Sequence, residues 1–351
     1  MLRSGETLFA DESALDFDFV PKLLPFREGQ QFYIASAIKP LFEDRQGRNL
    51  CITGPPGIGK TAAVRWVLRD LEDTTDRIHI IYMNCWQKNT TYKVLTEVCN
   101  ELGFMFTVNK KVNELMSVLE GLFQQKTIVF AFDEIDKAED HDFLYFLLES
   151  APKKSILLVT NFREWLGEVD NRIRSRLTPD IIEFAPYKEA EVHEILDQRA
   201  GYAFLKGVFT QDALKLISAR TFENKDLRSG LYLLREAGLS AEARSSKSIL
   251  PEHATTALAK LADFTIKDIS DLDDDSKKIL SVIKSKPDER IGDLFKIYQA
   301  AGGCSAYKTF TRKIDKLEQN SFVVVEKINL GNQGNTSVVR PVGDRRLTDY
   351  K

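Results

Sequence analysis

The stretch LCITGPPGIGKTAAV, Leu50 to Val64, constrains the fold of this 351-residue chain more than any other. An apolar run enters a glycine-rich turn, which gives way to Lys60, Thr61 and a helix-forming run. The turn satisfies G-x-x-x-x-G-K-[ST] at its fixed positions, Gly54, Gly59, Lys60 and Thr61. Glycines let backbone N–H groups turn inward around an anion without Cβ clashes. The helix that starts at Thr61 points its positive end at the same place. Lys60 is expected to meet β- and γ-phosphates and Thr61 to offer its hydroxyl to Mg²⁺, with Pro55, Pro56, Gly57, Ile58 and Ala62 completing the cradle.

A strand–loop–helix of this kind needs a parallel sheet around it. Four further apolar runs supply the strands: IHIIYMN (78–84), KTIVFAF (126–132), SILLVT (155–160) and DIIEFA (180–185), beside NLCIT (49–53). Each is nearly continuous in apolar residues, as strands covered on both faces are. Helical stretches such as TAAVRWVLRDLED and YKVLTEVCNELG lie between them. The expected fold class is therefore α/β, with a doubly covered parallel sheet. After FAPYKEA the strand signals stop and helical spacing takes over, through a helix interrupted by Pro251 that reaches about Ala262. The expected domains are an α/β nucleotide-binding core at 1–185, a helical lid at 186–264, a polar acidic linker at 265–275 and a C-terminal domain at 276–351. That last segment reads helix, helix, helix, then two strands (FVVVEKINL and TSVVRPV) joined by GNQGN, the order of a winged helix.

Two further strand ends carry chemistry. IVFAFDEID delivers Asp133 and Glu134 at the edge where parallel sheets bind ligands. Asp133 would hold Mg²⁺ through water, and Glu134 would orient or activate the attacking water. SILLVTN ends on Asn161, whose amide can hold that water near a γ-phosphate. DNRIRSRL places Arg172, Arg174 and Arg176 together, and one of them could reach a phosphate bound by a neighbouring subunit. Arg228, at the start of a helix in the all-helical segment, could sense the γ-phosphate and pull the lid.

The net charge of −3 does not announce a nucleic-acid binder, but the tail departs from it. Cys304 to Lys351 holds nine Lys or Arg against five Asp or Glu. In SAYKTFTRKIDKLEQN, helical spacing turns Tyr307, Phe310, Ile314 and Leu317 to the core and Lys308, Thr309, Arg312 and Lys313 outward, as a helix entering a major groove would present them. The wing tip NLGNQGN, with Asn332 and Asn335, could approach a minor groove beside Lys327 and Arg340. Cys51, Cys85, Cys99 and Cys304 form no CxxC pair, which argues against a zinc or disulfide framework. No apolar run reaches the length of a membrane helix and the N-terminus lacks a signal-peptide pattern, so the expectation is a cytoplasmic protein without membrane contact.

Taken together, these motifs resemble those of the AAA+ ATPases. FVPKLLPFREGQ looks like the box that opens the adenine pocket, GPPGIGKT like Walker A, FDEID like Walker B, TN like sensor 1, RIRSRL like the finger box and KDLRSGLYLLREAG like sensor 2. Their order is similar to that of the archaeal replication initiators of the origin-recognition and cell-division-cycle-six type, from about residue 18 to about 345. The resemblance implies that Val20, Pro21 and Arg27 flank the adenine of ATP or ADP, and that Tyr187 and Arg199 are lid-side nucleotide contacts. It makes Arg176 the finger, with Arg174 second. It further implies duplex origin DNA and the MCM helicase as partners, paralogous initiators beside them, and slow ATP hydrolysis acting as a reset. The chain departs from the pattern before Arg228, where the branch tends to show Gly-Asp-x-Arg and this chain reads Asn224-Lys225-Asp226-Leu227-Arg228. An ATP-sensing winged-helix transcription regulator and a clamp-loader-like AAA+ subunit remain as alternatives on the sequence.

Overall fold

The computed structural model describes residues 7–270, 272–319, 322–329 and 335–341, with the side chains of 262–270, 319, 326–329 and 335–336 left aside. The chain divides into two compact units, 1–258 and 259–351. In the first, α1 (Glu28–Ile38) precedes β1 (Leu50–Thr53), α2 (Lys60–Thr74), β2 (Ile78–Asn84), α3 (Thr91–Glu101) and α4 (Val112–Phe123). There follow β3 (Thr127–Asp133), α5 (Asp142–Ser150), β4 (Lys153–Val159), the short α6 (Trp165–Glu168), α7 (Asn171–Leu177) and β5 (Asp180–Glu183). The five strands form one sheet in the order β2-β3-β4-β1-β5, and all their pairings are parallel. In β3, Ile128 to Asp133 are all buried, the two-sided cover that the continuous apolar run requires. Phe123, Phe130, Phe132 and Phe143 fill one part of that core with edge-on, stacked and tilted ring pairs. Cys51, Cys85 and Cys99 are buried free thiols; burial pushes Cys51 and Cys99 up to about 11.

The helical lid belongs to the same unit: α8 (Glu189–Ala203), α9 (Gln211–Asn224), α10 (Leu227–Ala243) and the start of α11 (Pro251–Ser270). The expectation that Pro251 interrupts a helix is corrected here. Pro251 is the first residue of α11, where its fixed φ suits helix entry and its missing N–H has no intrahelical partner to lose. The backbone of α11 runs on to Ser270, so the first half of the stretch expected as a linker is helix.

The N-terminal residues bind the lid like a belt. Phe9 bridges to Phe204, their rings 4.7 Å apart, and Leu8 N–H donates to Glu242. Arg235 pairs with Asp16, and Arg199 donates to the carbonyls of Ala14 and Phe19.

The second unit contains α12 (Asp274–Ser285), β6 (Glu289–Arg290), α13 (Ile291–Ala300), α14 (Tyr307–Gln319), β7 (Val323–Asn329) and β8 (Asn335–Pro341). Its antiparallel sheet runs β6-β8-β7. Three helices against a short strand and a β-hairpin make a winged helix. Its core holds Ile279, Ile283, Leu294, Tyr298, Phe310, Ile314 and Leu317.

Candidate functional site

Parallel strands put their C-terminal ends on one edge, and that edge carries the site. Between β1 and α2 the loop turns through left-handed Gly57 (φ +71°) and Gly59 (φ +87°). A Cβ on Gly57 would lie 2.0 Å from an oxygen of Asp226, and one on Gly59 2.9 Å from the Tyr187 hydroxyl oxygen. Both glycines are therefore needed for backbone angle and for the close approach of the lid. The Leu227 N–H, in the first turn of α10, donates to the Gly57 carbonyl at 3.1 Å.

Lys60 is buried, and its ammonium donates to the carbonyls of Gly54 and Pro55, each at 2.7 Å, and to Asn161 Oδ1 at 2.8 Å. Burial brings its pKa down to about 8, against the pull of Asp133. Thr61 Oγ1 donates to Asp133 Oδ2 at 2.7 Å, and the Tyr82 hydroxyl donates to the same oxygen at 2.7 Å. Glu134 follows in the left-handed region (φ +52°), and burial together with the Asp133 charge raises its pKa. Asp136 accepts from Thr160 Oγ1 at 2.9 Å and so steadies the strand end that bears Asn161.

Lys60, Thr61, Asp133, Glu134 and Asn161 face a cavity of about 200 Å³. The structure gathers Pro21, Pro56, Gly57, Gly59, Lys60, Thr61, Ala62, Asp133, Glu134, Asn161, Tyr187, Arg199 and Arg228 on its walls. Gly54, Pro55 and Ile58, in the same loop, do not line the cavity: Pro55 is exposed and Ile58 is buried. Val20 does not reach the wall. Arg27 is corrected from wall to brace. Its buried guanidinium donates to the carbonyls of Ala185 (2.8 Å) and Ile58 (3.1 Å) and to the Tyr187 hydroxyl (3.0 Å), and it stacks 3.8 Å from the centre of that ring. Arg199 lines the cavity, but its guanidinium donates to the N-terminal belt, and burial lowers its pKa to about 10.

Sequence reasoning singled out none of Phe17, Leu24, Pro25, Val159, Ile195, Leu196, Leu227 and Leu231 on the apolar wall, although Leu24 and Pro25 fall in the box expected to open the adenine pocket. On α8 and α10 these read as ordinary helix-core positions, and no periodicity tells a lid's inner face from its own core.

Arg228 reaches the cavity from the first turn of α10, gripped by Asp226, the residue that also caps that helix. Arg174 and Arg176 lie outside this cavity on α7: Arg174 bonds Asn171, and Arg176 pairs with Glu149 over the Tyr145 ring. On α14, Phe310, Ile314 and Leu317 are buried as expected, whereas Tyr307 is half-exposed at the rim, edge-on to Phe295. Tyr307 opens the helix, one turn short of the layer that Phe310 closes. Lys308 and Arg312 are exposed and Thr309 is half-buried. Lys313 turns inward to Asp273 (2.6 Å) and Asp275 (3.1 Å), in the acidic segment where α12 begins, which removes it from the outward set. Arg340 pairs with Asp288 at 3.0 Å. Asn332 lies outside the described residues, as do the side chains of Lys327 and Asn335.

A parallel sheet with a glycine loop between strand and helix, an acidic strand end beside it and a helical lid closing over both defines a P-loop fold of the AAA+ class. The chain matches the AAA domain family over residues 43–161 and the Cdc6 AAA+ ATPase-type lid domain over 193–259. It is 27% identical over 350 residues to an ORC1-type DNA replication protein 2 of Methanosarcina mazei, covering 95% of this chain and 93% of that protein. Among solved structures it is similar to the Aeropyrum pernix ORC1 protein in complex with DNA (25% identity, TM-score 0.73, 96% of this chain and 94% of that one). It also shares its fold with the Aeropyrum pernix ORC2 protein in ADPNP–ADP complexes (18% identity, TM-score 0.71, 95% and 94%). Together these matches support an archaeal initiator of the Orc1/Cdc6 type.

Proposed function

We propose that this protein is an ATP-dependent DNA replication initiator that binds duplex origin DNA and helps recruit or load the MCM helicase. ATP and ADP act as its switch. The observation that carries the reading is the contact between lid and phosphate loop: Asp226 and Leu227 abut Gly57, and Arg228 and Lys60 line one cavity. A phosphate entering the loop meets both at once, so its presence or loss bears directly on the lid. The names of the curated relatives and the DNA complex of a similar structure support the same reading.

The residues divide the work. Lys60 exchanges two backbone carbonyls for phosphate oxygens, and the turned N–H groups of the loop surround them. Thr61 and Asp133, already hydrogen-bonded to each other, are the pair that would hold Mg²⁺. When bound, that ion offsets the charge of the phosphate oxygens. Glu134, its pKa raised by burial, accepts the proton of the attacking water, and Asn161 orients that water. Arg176, with Arg174 second, serves a site on a neighbouring copy, and Arg228 senses the γ-phosphate in its own. Lys308, Thr309 and Arg312 on α14 face the DNA, with Lys327, Arg340, Asn332 and Asn335 at the wing. The work falls to three domains, a core to residue 185, a lid from 186 to 264 and a winged helix from 276.

Nuclease footprinting over the origins of the protein's own genome, with ATP and with ADP, tests the reading. The expected result is an origin footprint whose extent depends on the nucleotide, with that dependence abolished in Lys60→Ala. Equal footprints under both nucleotides, or none, would overturn it; capture of MCM by the ATP-bound form tests the helicase step separately.

A further inference from the structure

Asp133 is held by more than the Walker motifs explain. One of its oxygens, Oδ2, accepts from Thr61 and from Tyr82, each at 2.7 Å, while Oδ1 accepts from the Glu134 N–H at 3.0 Å. Tyr82 lies on β2, two residues before Asn84, whose register partner on β3 is Asp133 itself. Alternation along β2 therefore puts Tyr82 and Asn84 on one face of the sheet, with the hydroxyl reaching forward to the strand end. The ring does not stand alone. The Arg65 guanidinium of α2 lies 4.8 Å from its centre and pairs with Asp18 at 2.7 Å. Asp18 adjoins Phe17, which lines the apolar wall of the cavity.

A carboxylate that must hold a metal gains from having its rotation fixed beforehand, and groups behind the ligand set that orientation. Thr61 cannot do this alone, because its hydroxyl is itself among the groups expected at the metal. We propose that Tyr82 is a positioning residue for the divalent metal. Its hydroxyl fixes the Asp133 carboxylate, and Arg65, tied to Asp18, fixes the ring. The proposal rests on the nucleotide-site reading above and deepens it.

The test separates metal from nucleotide. ADP affinity is measured by calorimetry with excess chelator and again with Mg²⁺, for the full chain, Tyr82→Phe and Lys60→Ala. Mn²⁺ uptake in the presence of ADP is read in parallel from the loss of the free-ion paramagnetic signal. Tyr82→Phe is expected to keep the metal-free ADP affinity and to weaken Mn²⁺ uptake and the Mg²⁺ enhancement about tenfold, in the range for loss of a partner behind a metal ligand. Full Mn²⁺ uptake in Tyr82→Phe overturns the proposal, as does an equal loss of ADP affinity with and without metal, which would make the tyrosine a packing residue. Lys60→Ala tells the two readings apart. If it binds ADP like the unaltered chain, the site reading itself fails; if it loses ADP while Tyr82→Phe keeps full Mn²⁺ uptake, only the role of Tyr82 fails.

Discussion

Lys60 sits among three oxygens with its pKa lowered to about 8, because desolvation outweighs the attraction of Asp133. A bound polyphosphate favours the charged ammonium and so raises that pKa. Nucleotide binding then takes up a proton once the pH exceeds about 8, and affinity falls as pH rises further, by at most about tenfold per unit. Below pH 8 it is flat in this respect. Lys60→Arg, charged throughout, should remove the slope; ADP titrations from neutral to alkaline pH check this, and an equal slope in both proteins would refute the assignment. In the nucleotide-free protein the unfolded chain holds more protons between about pH 8 and the ordinary lysine range, so stability rises with pH across that window. The cavity edge was legible at this scale because phosphate and metal chemistry demands particular residue types: Lys60, Thr61, Asp133, Glu134 and Asn161 all reach the cavity. Arg27 was not legible, because a guanidinium that braces backbone carbonyls and one that faces a ligand leave the same letter in the sequence.

Helix α10 shows what one turn of chain can decide. Its entry departs from the glycine expected before the lid aspartate, yet the backbone keeps the corresponding shape, with Lys225 in the left-handed region at φ +54°. Asp226 then caps the helix and meets the phosphate loop. A side chain in that region carries a strain of about 1–2 kcal/mol, partly offset by the greater freedom of glycine in the unfolded chain. Lys225→Gly should therefore stabilise the first unit by up to about 1 kcal/mol, seen as a higher urea midpoint with an unchanged slope. A lowered midpoint would show that the lysine side chain contributes more than the strain. The central strands β1, β3 and β4 were readable from their unbroken apolar runs, since burial on both faces leaves little else in them. At the sheet edge, β5 exposes Ile181 and Glu183 despite its apolar run. The start of α11 was not, because proline opens and breaks helices with the same ring, and only the preceding backbone tells which.

The whole molecule pairs a nucleotide unit with a winged helix, and charge determines what the second can grip. Lys308 and Arg312 are exposed on α14, while Lys313 is held by Asp273 and Asp275. The double change Lys308→Ala with Arg312→Ala should lower affinity for duplex DNA and reduce the slope of log affinity against log salt by up to about 2, one for each phosphate no longer neutralised. Lys313→Ala should leave that slope unchanged; a drop equal to that of either outward residue would place Lys313 on the DNA. Helical spacing alone could not foresee this difference, because the acids that claim Lys313 lie about forty positions earlier in the chain. The belt at the other end has a consequence for any motion of the lid. Residues 8 to 16 and the Phe19 carbonyl are fastened to α8 and α10, whereas Asp18 pairs with Arg65 of α2 and Arg27, further on, is fastened to the loop and to Ala185. Any hinge must then flex in two places, one after β5 and another near residues 16–19, where the lid and α2 both hold the belt. A dye on Ser13 would travel with the flap, not with the sheet.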